Sequence, residues 1–220
     1  RVRYAIDGCM AEFTDITTNG LTTQTVAAES EDPDAVIALV RELGFGNYLN
    51  TNYIAGLRAT IADTPPRYAI IDVGTNSVKF HLGERVGDGT WGTVIDRAEV
   101  TRLGEDIEKG GVIIPEATSR TAEAVAGMVA EAREHGALAI AAVGTAGLRL
   151  ATNRDSVVEN IRSRSGVTVE IISGEEESRL AYLAVVAGID TGDGSAVVFD
   201  TGGGSSQFTF GTGSDVEDRF

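Results

Sequence analysis

Two periods of apolar and polar residues divide this chain. Between 11 and 28 the pattern alternates as in a half-exposed hairpin, and Asn19–Gly20 is a pair favoured in a type I′ turn. From Asp32 the period lengthens to that of a helix. Asp32 stands at the cap position and Pro33 in the first turn, Val36, Ile37, Val40 and Leu43 share one face, and Gly44 closes it. A second short helix is expected over 47–62. Asp63–Thr64–Pro65–Pro66 excludes helix continuation and reads as a linker. Three strands follow near 68–73, 77–85 and 91–100. A helix over 115–134 carries Val125, Met128, Val129 and Ala132 on one face and stops at Gly136. The remainder alternates: a strand at 138–143, a helix after Asn153 with Val157, Val158 and Ile161 inward, a strand at 167–172, and a helix over 174–187 ending at Gly188. A last hairpin is expected over 195–210.

This order predicts an α/β chain with a small α+β block at 1–62, a linker at 63–66, a main domain at 67–190 and a separate opening hairpin at 195–220. At 220 residues there is length for a sizeable core. The charge is −15, from 18 basic and 33 acidic residues, which argues against a nucleic-acid binder working by phosphate neutralisation. A polyanionic substrate would need a local basic groove or a metal ion to offset that field. The single cysteine, Cys9, forms no internal disulfide, and no apolar run approaches the ~18 residues of a membrane span. The chain begins at Arg1 rather than Met, so it reads as a piece of a longer or processed protein. No His/Cys cluster suggests zinc, and no G-x-x-x-x-G-K-[ST] run suggests a P-loop.

The chemistry concentrates in two related stretches. DTGGGSSQF at 200–208 reads as strand, tight glycine turn, strand, and DVGTNSVKF at 72–80 repeats the plan 128 residues earlier. An ordinary glycine hairpin would explain either stretch alone; the second copy suggests two phosphate-binding turns facing each other across a cleft. Gly74, Thr75, Asn76 and Ser77 in one, and Gly202, Gly203, Gly204, Ser205 and Ser206 in the other, offer backbone N–H groups and hydroxyls to oxyanions. Asp72 and Asp200 are hard oxygen ligands suited to Mg²⁺, and Asp72 could equally cap its turn.

Three further residues stand out. Ser173–Gly174–Glu175–Glu176 forms a capping box, which explains Glu175 and Glu176. Glu177 is not explained that way. It shares a helical face with Leu180, Ala181 and Ala184, the side expected to meet the core, so its carboxylate could orient or deprotonate water. Arg149 could grip phosphate bidentately or simply pair with a neighbouring acid, and Thr145 with Gly144 could add donors beside it. Lys79 and Arg102 are candidates for a basic groove, although Lys79 alternates with Val78 and Phe80 and could face solvent.

Four motifs occur in register: DVGTNSVKF (72–80), GTAGLRLATN (144–153), SGEEESRLAY (173–182) and DTGGGSSQF (200–208), with RLGEDI at 102–107 in keeping. Together they closely resemble the exopolyphosphatase/guanosine-pentaphosphate phosphatase family (Ppx/GppA) over 67–220. The resemblance implies a ribonuclease-H-like domain of the actin-like ATPase superfamily with a mixed five-stranded sheet, and the start of a second such domain. It implies a Mg²⁺-dependent hydrolase of terminal phosphoanhydrides that acts through an activated water. Inorganic polyphosphate is the first expected substrate and guanosine pentaphosphate the alternative; a non-catalytic phosphate- or nucleotide-binding module is a third reading. A cytoplasmic homodimer that uses neither nucleic acid nor membrane is the expected setting. The family's base is the second glutamate of a Glu–Glu pair, which maps onto Glu177, with Glu176 as the other candidate. Where some bacterial exopolyphosphatases carry a glutamate after the threonine, this chain has Ala146, and its TAGLR is closer to the TAGMR of apyrases. In the first block, the segment 24–31 with Glu29 and then NYIAGL (52–57) resembles the C-terminal part of CYTH-type triphosphate-tunnel domains. That likeness covers under a third of a tunnel, and no activity is assigned to it.

Overall fold

The structure, a computed structural model, describes residues 1–18, 20–45, 51, 54, 56–57, 65–86, 90–189 and 194–219. Two compact units emerge: residues 1–66 with 84–92, and residues 67–83 with 93–220. Asn19 of the predicted turn, and most of the helix expected over 47–62, lie outside the described residues.

In the first unit β1 (Val2–Ile6), β2 (Cys9–Thr18) and β3 (Leu21–Glu29) form an antiparallel sheet in that order. The alternation over 11–28 marks β2 and β3; β1 was not expected, since four of its five residues are exposed and leave only a weak pattern. Helix α1 (Pro33–Glu42) starts as its sequence dictates, with Asp32 Oδ1 accepting from Asp34 N at 3.0 Å. Its inward face differs from the expectation. Leu39 is buried, while Ile37 and Leu43 are exposed. The stripe that meets the small core of Cys9 and Ala11 runs through Ala35, Val36 and Leu39, one residue round the helix.

Glu12 lies on β2 beside Arg1 and Arg3. Hydrogen bonds from Arg1, then Arg3, hold its carboxyl at about 2, below the ordinary 4.5. A depressed folded-state value stabilises above the unfolded one. The contribution of Glu12 is therefore complete above about 4.5 and is lost as pH falls through about 2. A carboxyl ¹³C titration of the folded chain is expected to show Glu12 with its midpoint near 2; a midpoint near 4.5 would contradict the pairing.

The second unit is built on a mixed five-stranded sheet in the order β6-β5-β4-β7-β8. Its strands are β4 (Arg67–Val73), β5 (Ser77–Arg85), β6 (Trp91–Val100), β7 (Ala139–Gly144) and β8 (Val169–Ile171). β4, β7 and β8 run parallel, with Asp72 beside Val143 and Val73 beside Gly144. Alternation fixes the buried face: Ala69, Ile71 and Val73 of β4 and Val78, Phe80 and Leu82 of β5 point into one core. Helices α2 (Pro115–Glu134) and α4 (Arg154–Ser165) pack on one another and supply Val125, Met128, Val129, Val157 and Ile161 to it. Asn153 precedes α4 but does not cap it with its side chain. Its amide instead receives from Ile113 N at 3.0 Å and donates to Ile113 O at 2.9 Å, which ties down the loop before α2.

Three elements refine the expected plan. A five-residue helix, α3 (Ala146–Leu150), follows β7 directly. Helix α5 (Gly174–Gly188) has its buried stripe at Ser178 and Tyr182 rather than on the face of Leu180 and Ala184, both exposed. The partner on that stripe is the third refinement: β9 (Ser195–Thr201) and β10 (Ser206–Thr212) are joined by β11 (Asp215–Arg219) into a three-stranded sheet that packs on α5. Among the described residues no helix is long and apolar enough to cross a membrane.

Candidate active site

In a sheet with parallel strands, loops at the carboxyl ends collect on one edge, where ligands of α/β folds bind. Here β4 ends at the Asp72 turn, β7 ends at Thr145 and α3, and β8 leads into Ser173 and α5.

The two glycine turns are closed the same way. Gly74 N donates to Ser77 O at 3.1 Å, and Gly202 N donates to Ser205 O at 2.8 Å. Both turns therefore read Asp-x-Gly-x-x-Ser, and each aspartate lies two residues before the closing glycine. In the second turn Asp200 pairs with Gln207 across the ladder. The same count sets Lys79 across from Asp72, and Lys79 Nζ lies 3.4 Å from Asp72 Oδ2. Lys79 is thus both largely exposed and tied to the aspartate. Asp200, among the described residues, makes no side-chain hydrogen bond or ion pair.

The turns meet at their tips instead of flanking an open cleft. A Cβ on Gly203 would fall 2.3 Å from Asn76 Nδ2, and one on Gly204 would fall 2.7 Å from Thr75 Oγ1 and 3.2 Å from Ala146 Cβ. Thr75 is enclosed from two more sides. A Cβ on Gly147 would stand 3.1 Å from its Oγ1, and one on Gly104 only 2.3 Å from its Cγ2. Three segments, the 202–206 turn, α3 and the loop at 101–104, can close on one threonine because each presents a glycine there. The loop at 101–104 also holds the first turn by its backbone: Thr101 N and Arg102 N reach Asn76 O at 3.1 and 2.9 Å, and Gly104 N reaches Thr75 O at 2.8 Å. Gly104→Ala is therefore expected to destabilise the second unit by about 1–3 kcal/mol through overpacking against Thr75. Gly110→Ala, with nothing within 4 Å and no positive φ, is the control, and paired urea denaturation curves measure the difference.

Arg149 and Glu177 come together beside this turn. Arg149 Nη1 donates to Ile172 O at 3.1 Å, and its Nη2 lies 2.7 Å from Glu177 Oε2. That approach is off the hydrogen-bonding direction, so this buried oxygen has an ion-pair neighbour but no hydrogen-bond partner. Of the two readings of Arg149, the salt bridge is the one present. Glu176 behaves differently. Ser173 Oγ accepts from Glu176 N at 3.1 Å, but the reciprocal half of the capping box is absent, because both Glu176 oxygens are taken by Arg179 at 2.7 and 2.8 Å. The hydrogen bond from Arg179 holds the Glu176 carboxyl below its ordinary pKa. Thr145 is buried and its N–H is given to Val73 O at 3.3 Å, so that amide is not free for a ligand.

Asp72 Oδ1 is a second buried oxygen without a hydrogen-bond partner. Among the described residues no group of three or more His, Cys, Asp or Glu side chains gathers into a metal cage. One or two carboxylates completed by waters and substrate oxygens is, however, the usual donor set for Mg²⁺, and Asp72 with Asp200 fits that set.

The Ppx/GppA phosphatase family model matches residues 84–220. This chain belongs to the Ppx/GppA phosphatase family. Its fold is accordingly that of the actin-like ATPase superfamily, and the match begins downstream of the Asp72 turn. The chain is 32% identical over 154 residues to the guanosine-5'-triphosphate,3'-diphosphate pyrophosphatase of Aliivibrio fischeri (strain MJ11), covering 70% of this chain and 30% of that one. It is 29% identical over 153 residues to exopolyphosphatase 2 of Mycobacterium tuberculosis, covering 66% and 48%. The crystal structure of the Aquifex aeolicus Ppx/GppA family member superposes with a TM-score of 0.65 at 29% identity, over 71% of this chain and 51% of that one. The chain thus spans between 30% and 48% of the length of these two curated relatives.

Two features of this Ppx/GppA site were not anticipated. The Lys79–Asp72 pair was countable from the turn, since the two residues flank it symmetrically. The enclosure of Thr75 by Gly104 and Gly147 had no local signal, because it joins loops distant in sequence.

Proposed function

We propose that this site hydrolyses the terminal phosphoanhydride of inorganic polyphosphate, with Glu177 as the base for the attacking water. The observation that supports this reading is the Glu177 carboxylate. One of its oxygens is buried, lacks a hydrogen bond and stands beside Arg149, on the short helix whose Gly147 touches the Thr75 turn. A carboxylate in that state can accept a water proton.

The reaction balances simply. The water oxygen bonds to the terminal phosphorus, the P–O bond to the bridging oxygen breaks, and the shortened chain leaves with that oxygen. Glu177 takes the water proton and later returns it to solvent. Backbone N–H groups and hydroxyls of 75–77 and 203–206 hold the terminal phosphoryl oxygens, the Gly74 and Gly202 N–H groups being used to close their turns, and Arg149 turns from Glu177 to the phosphate. Mg²⁺, held by Asp72 and Asp200, would supply charge neutralisation for the phosphate oxygens.

Guanosine pentaphosphate is the second reading, favoured by the likeness to the Aliivibrio protein, whose name specifies a guanosine substrate. Orthophosphate release measured in parallel on polyphosphate, guanosine pentaphosphate and nucleoside triphosphates, with Mg²⁺ present, separates the two. Release from polyphosphate is the expected result. Release from guanosine pentaphosphate alone would transfer the reading to the alternative, and release from none would overturn both.

A further inference from the structure

The chain carries 33 acids against 18 bases, yet Arg102 has no side-chain hydrogen bond or ion pair among the described residues. Its backbone is also unusual. Arg102 has φ +48°, a left-handed conformation that favours glycine, so an arginine there carries a conformational cost. The surroundings enforce it. Arg102 N donates to Asn76 O at 2.9 Å, Arg102 O accepts from Glu105 N at 3.0 Å, and Arg120 Nε holds the preceding Thr101 O at 3.1 Å.

Arg102 lines a groove of about 440 Å³ together with Asn76, Val100, Gly104 and Glu105. That is room for a small ligand. The one carboxylate lining it, Glu105, is already bound by Arg120 at 2.7 Å, which leaves the Arg102 charge uncompensated. Asn76 belongs both to this groove and to the first glycine turn, and its side-chain amide packs against Gly203, with no space there even for a methyl group. A polyanion whose end sits on the 74–77 turn therefore has a path past Asn76 toward Arg102.

We propose that Arg102, beside Asn76, forms a second anion subsite that takes a non-reacting phosphoryl group of the same phosphoanhydride chain. The guanidinium supplies bidentate, charge-assisted hydrogen bonds that orthophosphate bound at the turn would not reach. This inference rests on the polyphosphate reading above.

The test uses the φ value itself. Arg102→Gly removes the guanidinium at a position where glycine suits the backbone, so the melting temperature is expected to stay equal or rise. Calorimetric titration with tripolyphosphate, in a Glu177→Gln background to stop turnover, is expected to show affinity about tenfold weaker with Arg102→Gly than without it. Arg102→Lys should fall between, and orthophosphate affinity should be the same in all three. Equal tripolyphosphate affinity in the Arg102→Gly chain and its parent would overturn the subsite and leave the hydrolase reading standing. A parent that binds no tripolyphosphate would remove the hydrolase reading and the subsite with it.

Discussion

Glu177→Gln is expected to lower orthophosphate release from polyphosphate by about 10²–10⁴-fold, the range lost when a positioned general base is removed. Glutamine keeps the size of the side chain and cannot take the proton. Arg149 keeps its hydrogen bond to Ile172 O, so the cost to stability is expected to be about 1 kcal/mol, visible as a small shift in a urea midpoint. Glu176→Gln is the contrast. Its side chain is 40% exposed and engaged with Arg179, a surface pair worth about 0–1 kcal/mol, and phosphate release should change less than twofold. A larger loss in Glu176→Gln than in Glu177→Gln would reverse the assignment.

Tyr182→Ala is the largest expected stability effect. Tyr182 is fully buried, its ring lies where a Cβ on Gly211 would stand 2.7 Å away, and its hydroxyl donates to Gly213 O at 3.2 Å. It joins α5 to the β9–β11 sheet through these contacts. Truncation of a buried aromatic costs about 3–5 kcal/mol, whereas Tyr182→Phe loses one hydrogen bond and about 1 kcal/mol. The consequence extends to the site, because that sheet carries the turn at 202–206 and α5 carries Glu177. Tyr182→Ala should therefore lose activity together with stability, as measured by urea denaturation and phosphate release on the same preparation. A variant with wild-type midpoint and activity would mean that this packing does not hold the turn.

Much of the second unit was legible because its signals are local. The period-2 alternation of β4 and β5 and the period-3.6 face of α2 each describe one element meeting one core. The repeated Asp-x-Gly turns were legible for the same reason, and the two turns share the closing hydrogen bond that their common spacing implies. The failures arose where a partner decided the outcome. Leu180 and Ala184 looked inward on helix geometry alone, but the β9–β11 sheet covers Ser178 and Tyr182 instead. The capping box at 173–176 was half right, because Arg179 competes for the Glu176 carboxylate three residues away. Strand β1 was missed because an exposed edge strand needs little apolar pattern. The cleft expected between the turns was drawn too wide, since sequence spacing does not say that glycines on three separate segments would let them close on Thr75.

The claim on which the account turns is that both glycine turns and Glu177 serve one anion. A crystal structure of the Glu177→Gln chain with tripolyphosphate and Mg²⁺ tests it most directly. The expected result is a terminal phosphoryl group within hydrogen-bond reach of both the 74–77 and 202–206 turns, with residue 177 facing its phosphorus and Arg149 turned onto its oxygens. Tripolyphosphate bound elsewhere on the chain, with both turns empty and Arg149 still lying against residue 177, would contradict it.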